Sequence, residues 1–302
     1  MENPKVCYNI VFYFGDRRKP IDQYEEDRLF YYKKQIEYLA SVPHNLTSII
    51  FTINFREEDY KYVSEIFEIT PKKIGSAEVI LSFRKNVGLS YGGWNDTFKN
   101  YKTKYDYYIF NEDDYFFIEP NWDTYLVTKY NTSENCGYLC PLVRNPDKWN
   151  GYKKHAGHSA GIASSETLLK VWNKFGCLPH KSVNVNYKNG ESDINYLQGE
   201  DSQRIFSFAF IEIGMNILDI FDDYRVPFSM TCIDDYDIQR FYWWNEKSLI
   251  EPAVYLFKPI HTWWMGNDLE FSKEFVYSTY EEAWECYTEK KSLGSLRPHL
   301  YK

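Results

Sequence analysis

Residues 109–117 read IFNEDDYFF, which sets Glu112, Asp113 and Asp114 in a row between two apolar runs. Adjacent carboxylates repel one another, and burying them without a partner is unfavourable. The chemistry such a group offers is coordination of a hard divalent cation, Mg²⁺ or Mn²⁺, which takes carboxylates, waters and phosphate oxygens. Alternate residues at a strand end face the same way, so Glu112 and Asp114 can share a site. A solvated turn is the plain structural alternative.

Three other segments carry candidate chemistry. FRKNVGLSYGGWN (83–95) places three glycines near a helix start, which suits either backbone approach to a phosphate or a tight turn and close helix–sheet contact. It contains neither GxGxxG nor a Walker loop. GED (199–201) supplies acids that either favour a helix N-terminus or act as a general base on an acceptor hydroxyl. FKPIHTWW (257–264) brings His261, a structural imidazole or a metal ligand. His155 and His158, in KKHAGHSAG, either meet a sugar or phosphate or line a loop.

Elements that would position these groups are visible in the pattern of apolar residues. VCYNIVFYF (6–14), LTSIIFTIN (46–54), AEVILSF (77–83) and YDYYIF (105–110) have the length and β-branched or aromatic content of strands. Between them, 24–41, 57–69 and 88–101 repeat at helical spacing. Alternation of this kind predicts right-handed crossovers and a mostly parallel sheet, with ligands beyond the carboxyl ends of the strands. Gly15, Asn54, Arg84, Asn86 and the three acids then share one rim. In the second half, 137–143 and 158–165 read as strands, 166–176 as a helix stopped by Gly176, 178–198 as a long polar loop and 199–214 as a helix. The reading is one domain over 1–302 in two halves, 1–120 and 121–302.

Composition narrows the function classes. The 302 residues are 44% hydrophobic and 19% aromatic, enough for a sizeable core. Tyr and Trp also stack on sugars, and Trp94, Tyr115, Trp243, Trp244, Trp263 and Trp264 are candidate platforms, though each taken singly is better suited to a core. A net charge of −8 without a long basic stripe argues against nucleic-acid partners. Six cysteines in a chain of this size read as buried free thiols. No run of 18 apolar residues and no basic segment before an apolar one is present, so the expectation is a soluble, cytoplasmic chain without an integral membrane segment.

Taken together, RKNVGLSYGGWN, YDYYIFNEDDYFF, HSAGIASSETLLKVW, GEDSQRI and IHTWW resemble the motif order of GT-A fold, nucleotide-sugar-dependent glycosyltransferases, nearest the inverting family-two type, over roughly residues 6–264. The resemblance implies an α/β, Rossmann-like fold and a metal-dependent inverting transfer from a UDP-sugar to a glycan or glycoprotein hydroxyl. It implies Asp114 as the direct metal ligand, joined by His261. Asp113 would act through water, and Glu112 would face the ribose or sugar. Asn54, Arg84 and Asn86 would lie toward the nucleotide, and Asp201, or else Glu200, would be the catalytic base. Asp193, in an unusually long loop, competes for that last role. Two alternatives stand beside this reading. One is a sugar nucleotidyltransferase, whose basic loop after the first strand would be GDRRKP, poor in glycine. The other is a non-catalytic carbohydrate-binding protein on a decayed transferase fold.

Overall fold

A computed structural model describes residues 3–15, 26–117, 120–141, 143–144, 154–156, 159–181, 202–219, 224–231, 239–245, 252–254 and 257–259. The first strand, β1 (Val6–Tyr13), is buried almost throughout, as its unbroken apolar run requires. It pairs in parallel with β2 (Ser48–Phe55) on one side and β5 (Tyr107–Glu112) on the other. Beyond β2 lie β4 (Ala77–Lys85), parallel, and the two-residue β3 (Lys73–Ile74), antiparallel. Beyond β5 lie β10 (Gly161–Ser164), antiparallel to both its neighbours, then β7 (Cys136–Cys140) and β11 (Asn216–Asp219). The eight-stranded order is β11-β7-β10-β5-β1-β2-β4-β3. This is the mixed α/β, mostly parallel sheet expected, and strands from both sides of residue 120 build it.

Successive side chains of β1 point to opposite faces, and different helices cover them. On one face Phe12 meets Tyr32 of α1 (Phe30–Ser41) at 4.7 Å between ring centroids, and Tyr8 meets Trp122 of α4 (Trp122–Thr132) at 4.9 Å. On the other face lies α3 (Leu89–Tyr101), whose Tyr91, Trp94 and Phe98 recur at helical spacing and are buried. Gly93 permits that approach: a Cβ there would sit 2.6 Å from Val11 Cγ2. Asn9 Nδ2 donates to Thr52 Oγ1 (2.8 Å), which lies 3.1 Å from Thr97 Oγ1, so the Asn9 amide N–H and both threonine hydroxyls under α3 are paired, while Asn9 Oδ1 has no partner among the described residues. The α6 helix (Ser202–Glu212) joins this face through Phe206, 5.3 Å from Tyr91 and 5.5 Å from Trp94. The α5 helix (Ser165–Phe175) joins through Trp172, 5.9 Å from Phe98.

Several local expectations change. The stretch 57–69 is not one helix: a 3₁₀ segment (Glu57–Tyr62) precedes α2 (Val63–Ile69). Asp59 accepts from the Arg56 backbone and guanidinium at 3.0 Å each, which holds the chain in the tighter turn. The residues after the acids form another short strand, β6 (Tyr115–Phe117), paired with β15 (Phe257–Pro259). Helix α4 has no counterpart in the sequence reading; it is polar on much of its length and starts from Asn121 in the left-handed region (φ 59°). Gly176 ends α5 with φ 77°, as read. Val143–Arg144 and His155–Ala156 pair as β8 and β9, and Tyr224–Thr231, Gln239–Asn245 and Pro252–Val254 form a separate antiparallel sheet of β12, β13 and β14. Cys7, Cys136, Cys140 and Cys177 are buried free thiols, as composition suggested.

Candidate functional site

The sheet runs outward in both directions from β1, and the crevice beyond the carboxyl ends of β1 and β5 is the switch point where open α/β sheets bind ligands. Registers bring the named residues there. Tyr13 pairs with Asn54, Asn54 with Arg84, and Val11 with Glu112. Asp113 and Asp114 form the two-residue turn between β5 and β6. Strand alternation therefore does not extend to Asp114: its proximity to Glu112 comes from the turn.

The turn is held from three sides. Asp113 Oδ2 accepts from the Tyr13 backbone N–H (3.1 Å), bridging the crevice. Buried Gln35 of α1 donates through Nε2 to the carbonyls of Asp113 (2.8 Å) and Tyr115 (2.7 Å). Asn111 Nδ2 donates to the Tyr8 hydroxyl (2.6 Å) and to the Tyr115 carbonyl (2.7 Å). Asp113 and Asp114 are 4% and 3% exposed, so the acids line the base of the crevice and are not a solvated turn.

Glu112 shows what this enclosure does to a carboxylate. Burial, then the charge of Asp114, then that of Asp113 push its carboxyl up to about 8, against hydrogen bonds from Ser90 and Ser159. The Ser90 hydroxyl lies 2.5 Å from Oε1, and Tyr91 Oη lies 3.3 Å from Ser159 Oγ. Glu112 is thus gripped by α3 and by the residues leading into β10. That partnership competes with the contact to ribose or sugar that the resemblance implied.

Asn54 and Arg84 meet each other. Arg84 donates through Nη1 to Asn54 Oδ1 (2.6 Å), through Nε to Asp96 Oδ2 (2.6 Å) and through Nη2 to the Val87 carbonyl (2.8 Å). Asn54 is 1% exposed. Asn86 follows on the same rim, with its N–H bonded to the Phe55 carbonyl (3.2 Å). Trp94 and Tyr115 belong to the core: Trp94 is fully buried and stacks on Phe110 at 5.1 Å, and Tyr115 is 6% exposed. Trp243 and Trp244 fall on β13. Glu200, Asp201, Asp193, His158, His261, Trp263 and Trp264 lie outside the described residues. Ser202, next in sequence to Asp201, begins α6.

Sequence reasoning passed over a cleft of about 240 Å³ beyond β1 and β2, lined by Phe14, Arg28, Arg56, Glu58, Asp59, Lys61 and Tyr62. Arg56 pairs with Asp59 (2.9 Å) and Glu58 (2.9 Å) and lies 5.5 Å from the Tyr13 ring centroid. The lining is mostly polar: the rings of Phe14 and Tyr62 stand among Arg28, Arg56 and Lys61, and Glu58 and Asp59 meet the Arg56 charge. The signal in the sequence was weak, since FREEDYKY reads as an ordinary charged surface turn.

Among the described residues, no three His, Cys, Asp or Glu side chains form a metal-ligand cluster. Glu112, Asp113 and Asp114 nevertheless fit a hard cation in chemistry: they are oxygen donors, and their mutual repulsion is what a bound cation offsets. Phosphate oxygens and water would complete such a shell.

No protein-family model matches the chain, and the search of curated proteins finds no match. Solved structures that align with it include 4-diphosphocytidyl-2C-methyl-D-erythritol synthase from Anaerococcus prevotii, at 9% identity and a TM-score of 0.40, covering 72% of this chain and 86% of that one. CMP:2-keto-3-deoxy-manno-octonic acid synthetase in complex with CTP aligns at 14% identity and 0.40, covering 71% and 88%. The apo-form glycosyltransferase GlyE of Streptococcus pneumoniae aligns at 12% and 0.36, covering 99% and 66%. At these scores the alignments carry no functional argument.

Proposed function

We propose that the protein is a transferase acting on a nucleotide-activated sugar with a divalent cation, and that its reaction is glycosyl transfer with inversion. The observation that carries this reading is the buried carboxylate turn at the switch point: Asp113 tied to the end of β1 and Glu112 pushed up to about 8 by burial and its acidic neighbours. In this reading Asp114 holds Mn²⁺ or Mg²⁺ directly and Asp113 acts through water, with His261 as a further ligand. The cation supplies charge neutralisation for the departing diphosphate. The cleft at Phe14, Arg56 and Tyr62 receives the base. Asp201, or Glu200, accepts the proton of the acceptor hydroxyl as its oxygen attacks the anomeric carbon and the nucleoside diphosphate departs from the opposite face. UDP is the first choice of nucleotide on the resemblance to metal-using relatives, and the acceptor is a glycan or glycoprotein hydroxyl.

Sugar nucleotidyl transfer is the second reading. The observation favouring it is that Arg28 and Lys61 line the cleft beyond β1 and β2 in addition to Arg56, whose charge Glu58 and Asp59 meet, since a nucleoside triphosphate asks for more cationic charge than a diphosphate. A thermal-shift panel of UDP, GDP, dTDP and CMP, together with UTP and CTP, each with and without Mn²⁺, separates the two, because ligands that bind the native state raise its melting temperature. Glycosyl transfer predicts a metal-dependent shift that is largest for one diphosphate. A shift confined to a triphosphate, with pyrophosphate released on adding sugar or sugar phosphate, establishes the second reading. The absence of any shift at millimolar nucleotide and metal rejects both.

A further inference from the structure

The start of α3 holds an arrangement that the reading above leaves unused. Gly88 caps the helix in the left-handed region (φ 79°), and Leu89 follows at φ 54°, a conformation that non-glycine residues rarely adopt. A glycine cap brings no side-chain oxygen to the amides of the first turn. His180, from the segment after α5, lies directly against this cap: a Cβ on Gly88 would stand 2.3 Å from His180 Nδ1. His180 is 4% exposed, and its Nδ1 has no hydrogen-bond partner among the described residues. A buried nitrogen left in that state costs stability unless something completes it.

The surroundings fix where a completing group would sit. Leu178 N donates to Asn95 Oδ1 (2.9 Å), and Lys181 N donates to Ser202 Oγ (3.2 Å), so this segment is pinned across α3 and the first residue of α6. Arg84 reaches the same loop through the Val87 carbonyl (2.8 Å). Ser90, in the first turn of α3, holds Glu112 at 2.5 Å and so joins the helix start to the carboxylate turn. Positive helix ends favour anions, and first-turn amides donate to them.

We propose that His180 Nδ1 and the first-turn amides of α3 form an oxyanion site for the phosphoryl oxygens of the nucleotide donor, with the ligand resting on the reading above. Burial and the nearby Arg84 charge hold the imidazole neutral, down to about 4, so that it donates through an Nδ1 proton without adding charge. The carboxylate turn repels a bare anion, so the phosphoryl group arrives with its cation.

Inorganic pyrophosphate in Mg²⁺ buffer, titrated by calorimetry into the full chain, tests the site. Wild type binds, His180→Leu and His180→Phe bind about tenfold or more weakly, as loss of a hydrogen bond to a charged group predicts, and uridine without phosphate binds all three alike. Wild-type pyrophosphate affinity in either folded variant overturns the proposal, as does the absence of pyrophosphate binding by the wild type. On ¹⁵N-histidine-labelled wild type, pyrophosphate shifts the His180 ring resonances; unmoved ring resonances at saturation overturn it without recourse to a variant. Metal-dependent nucleotide binding that persists unchanged in His180→Leu leaves the transferase reading standing while this site falls.

Discussion

Glu112 is the residue at which burial, charge and hydrogen bonding can be separated by experiment. Its carboxyl, raised from 4.5 to about 8 by burial and by Asp114 and Asp113, keeps its proton in the folded chain at pH values where the unfolded chain has lost it. Between those two values the native state binds more protons than the unfolded state, so stability falls as pH rises. Melting temperature in EDTA is therefore expected to decline from about pH 5 to pH 8 and then level off, and Glu112→Gln should flatten that slope. Mn²⁺ should flatten it as well, because a cation offsets the charge that deprotonation uncovers. A slope unchanged by the substitution assigns the pH dependence elsewhere. Asp114→Asn belongs to the same scale. It removes a like charge beside Glu112, so the fold is expected to keep or raise its melting temperature while metal-dependent nucleotide binding is lost. Retained metal dependence in a folded Asp114→Asn protein removes Asp114 as a ligand.

At the scale of elements, the carboxylate turn depends on α1. Gln35 donates to the carbonyls on either side of Asp114, and Asn111 shares the one at Tyr115. Gln35→Leu should cost about 1–3 kcal/mol in urea unfolding, as buried acceptors lose their donor, and should weaken nucleotide binding in Mn²⁺ by loosening the turn. Undiminished binding would show that the turn keeps its shape without α1. This dependence explains what was legible in the sequence. Strands β1, β2, β4 and β5 could be read because each is a run of β-branched and aromatic residues bounded by polar ones, and Gly176 marked the end of α5. The acids were found from their like charge between apolar runs. Their partners were not, since Tyr13, Gln35 and Ser159 lie far away in sequence and are brought in only by the parallel register and α1 packing. Helix α4 was missed because Thr124, Thr128, Asn131 and Thr132, weak helix formers, interleave with the buried Trp122, Leu126, Val127 and Tyr130 whose spacing is helical. FREEDYKY gave no hint of the Arg56–Asp59 contact that tightens its turn.

On the scale of the whole molecule, the aromatic content went mainly into the core. Phe12, Tyr32 and Phe51 pack together on one face of the sheet, and Trp94, Phe110, Tyr138 and Phe206 on the other, so Trp94 and Tyr115 hold helices to strands and are not sugar platforms. Burial on both faces of β1, β7 and their neighbours also decides the behaviour of the thiols. Cys7 is fully buried, and burial pushes its thiol far above the ordinary range; Cys177 is raised to about 11 by the same cause. The thiolate is the reactive form, so access to Cys7, Cys136, Cys140 and Cys177 requires opening of the sheet or its covering helices. An aromatic disulfide reagent at pH 7.5, followed by peptide mapping, is expected to leave these four unlabelled in the native protein and to label all of them in urea. Cys7 lies on the central strand and Cys136 and Cys140 on β7, toward the opposite edge from β3, so their labelling rates report whether the sheet opens as one unit. Equal protection at all three, lost over one urea range, indicates a single cooperative sheet. Earlier exposure of Cys136 and Cys140 places a weaker seam at β10, the antiparallel strand that joins the two parts.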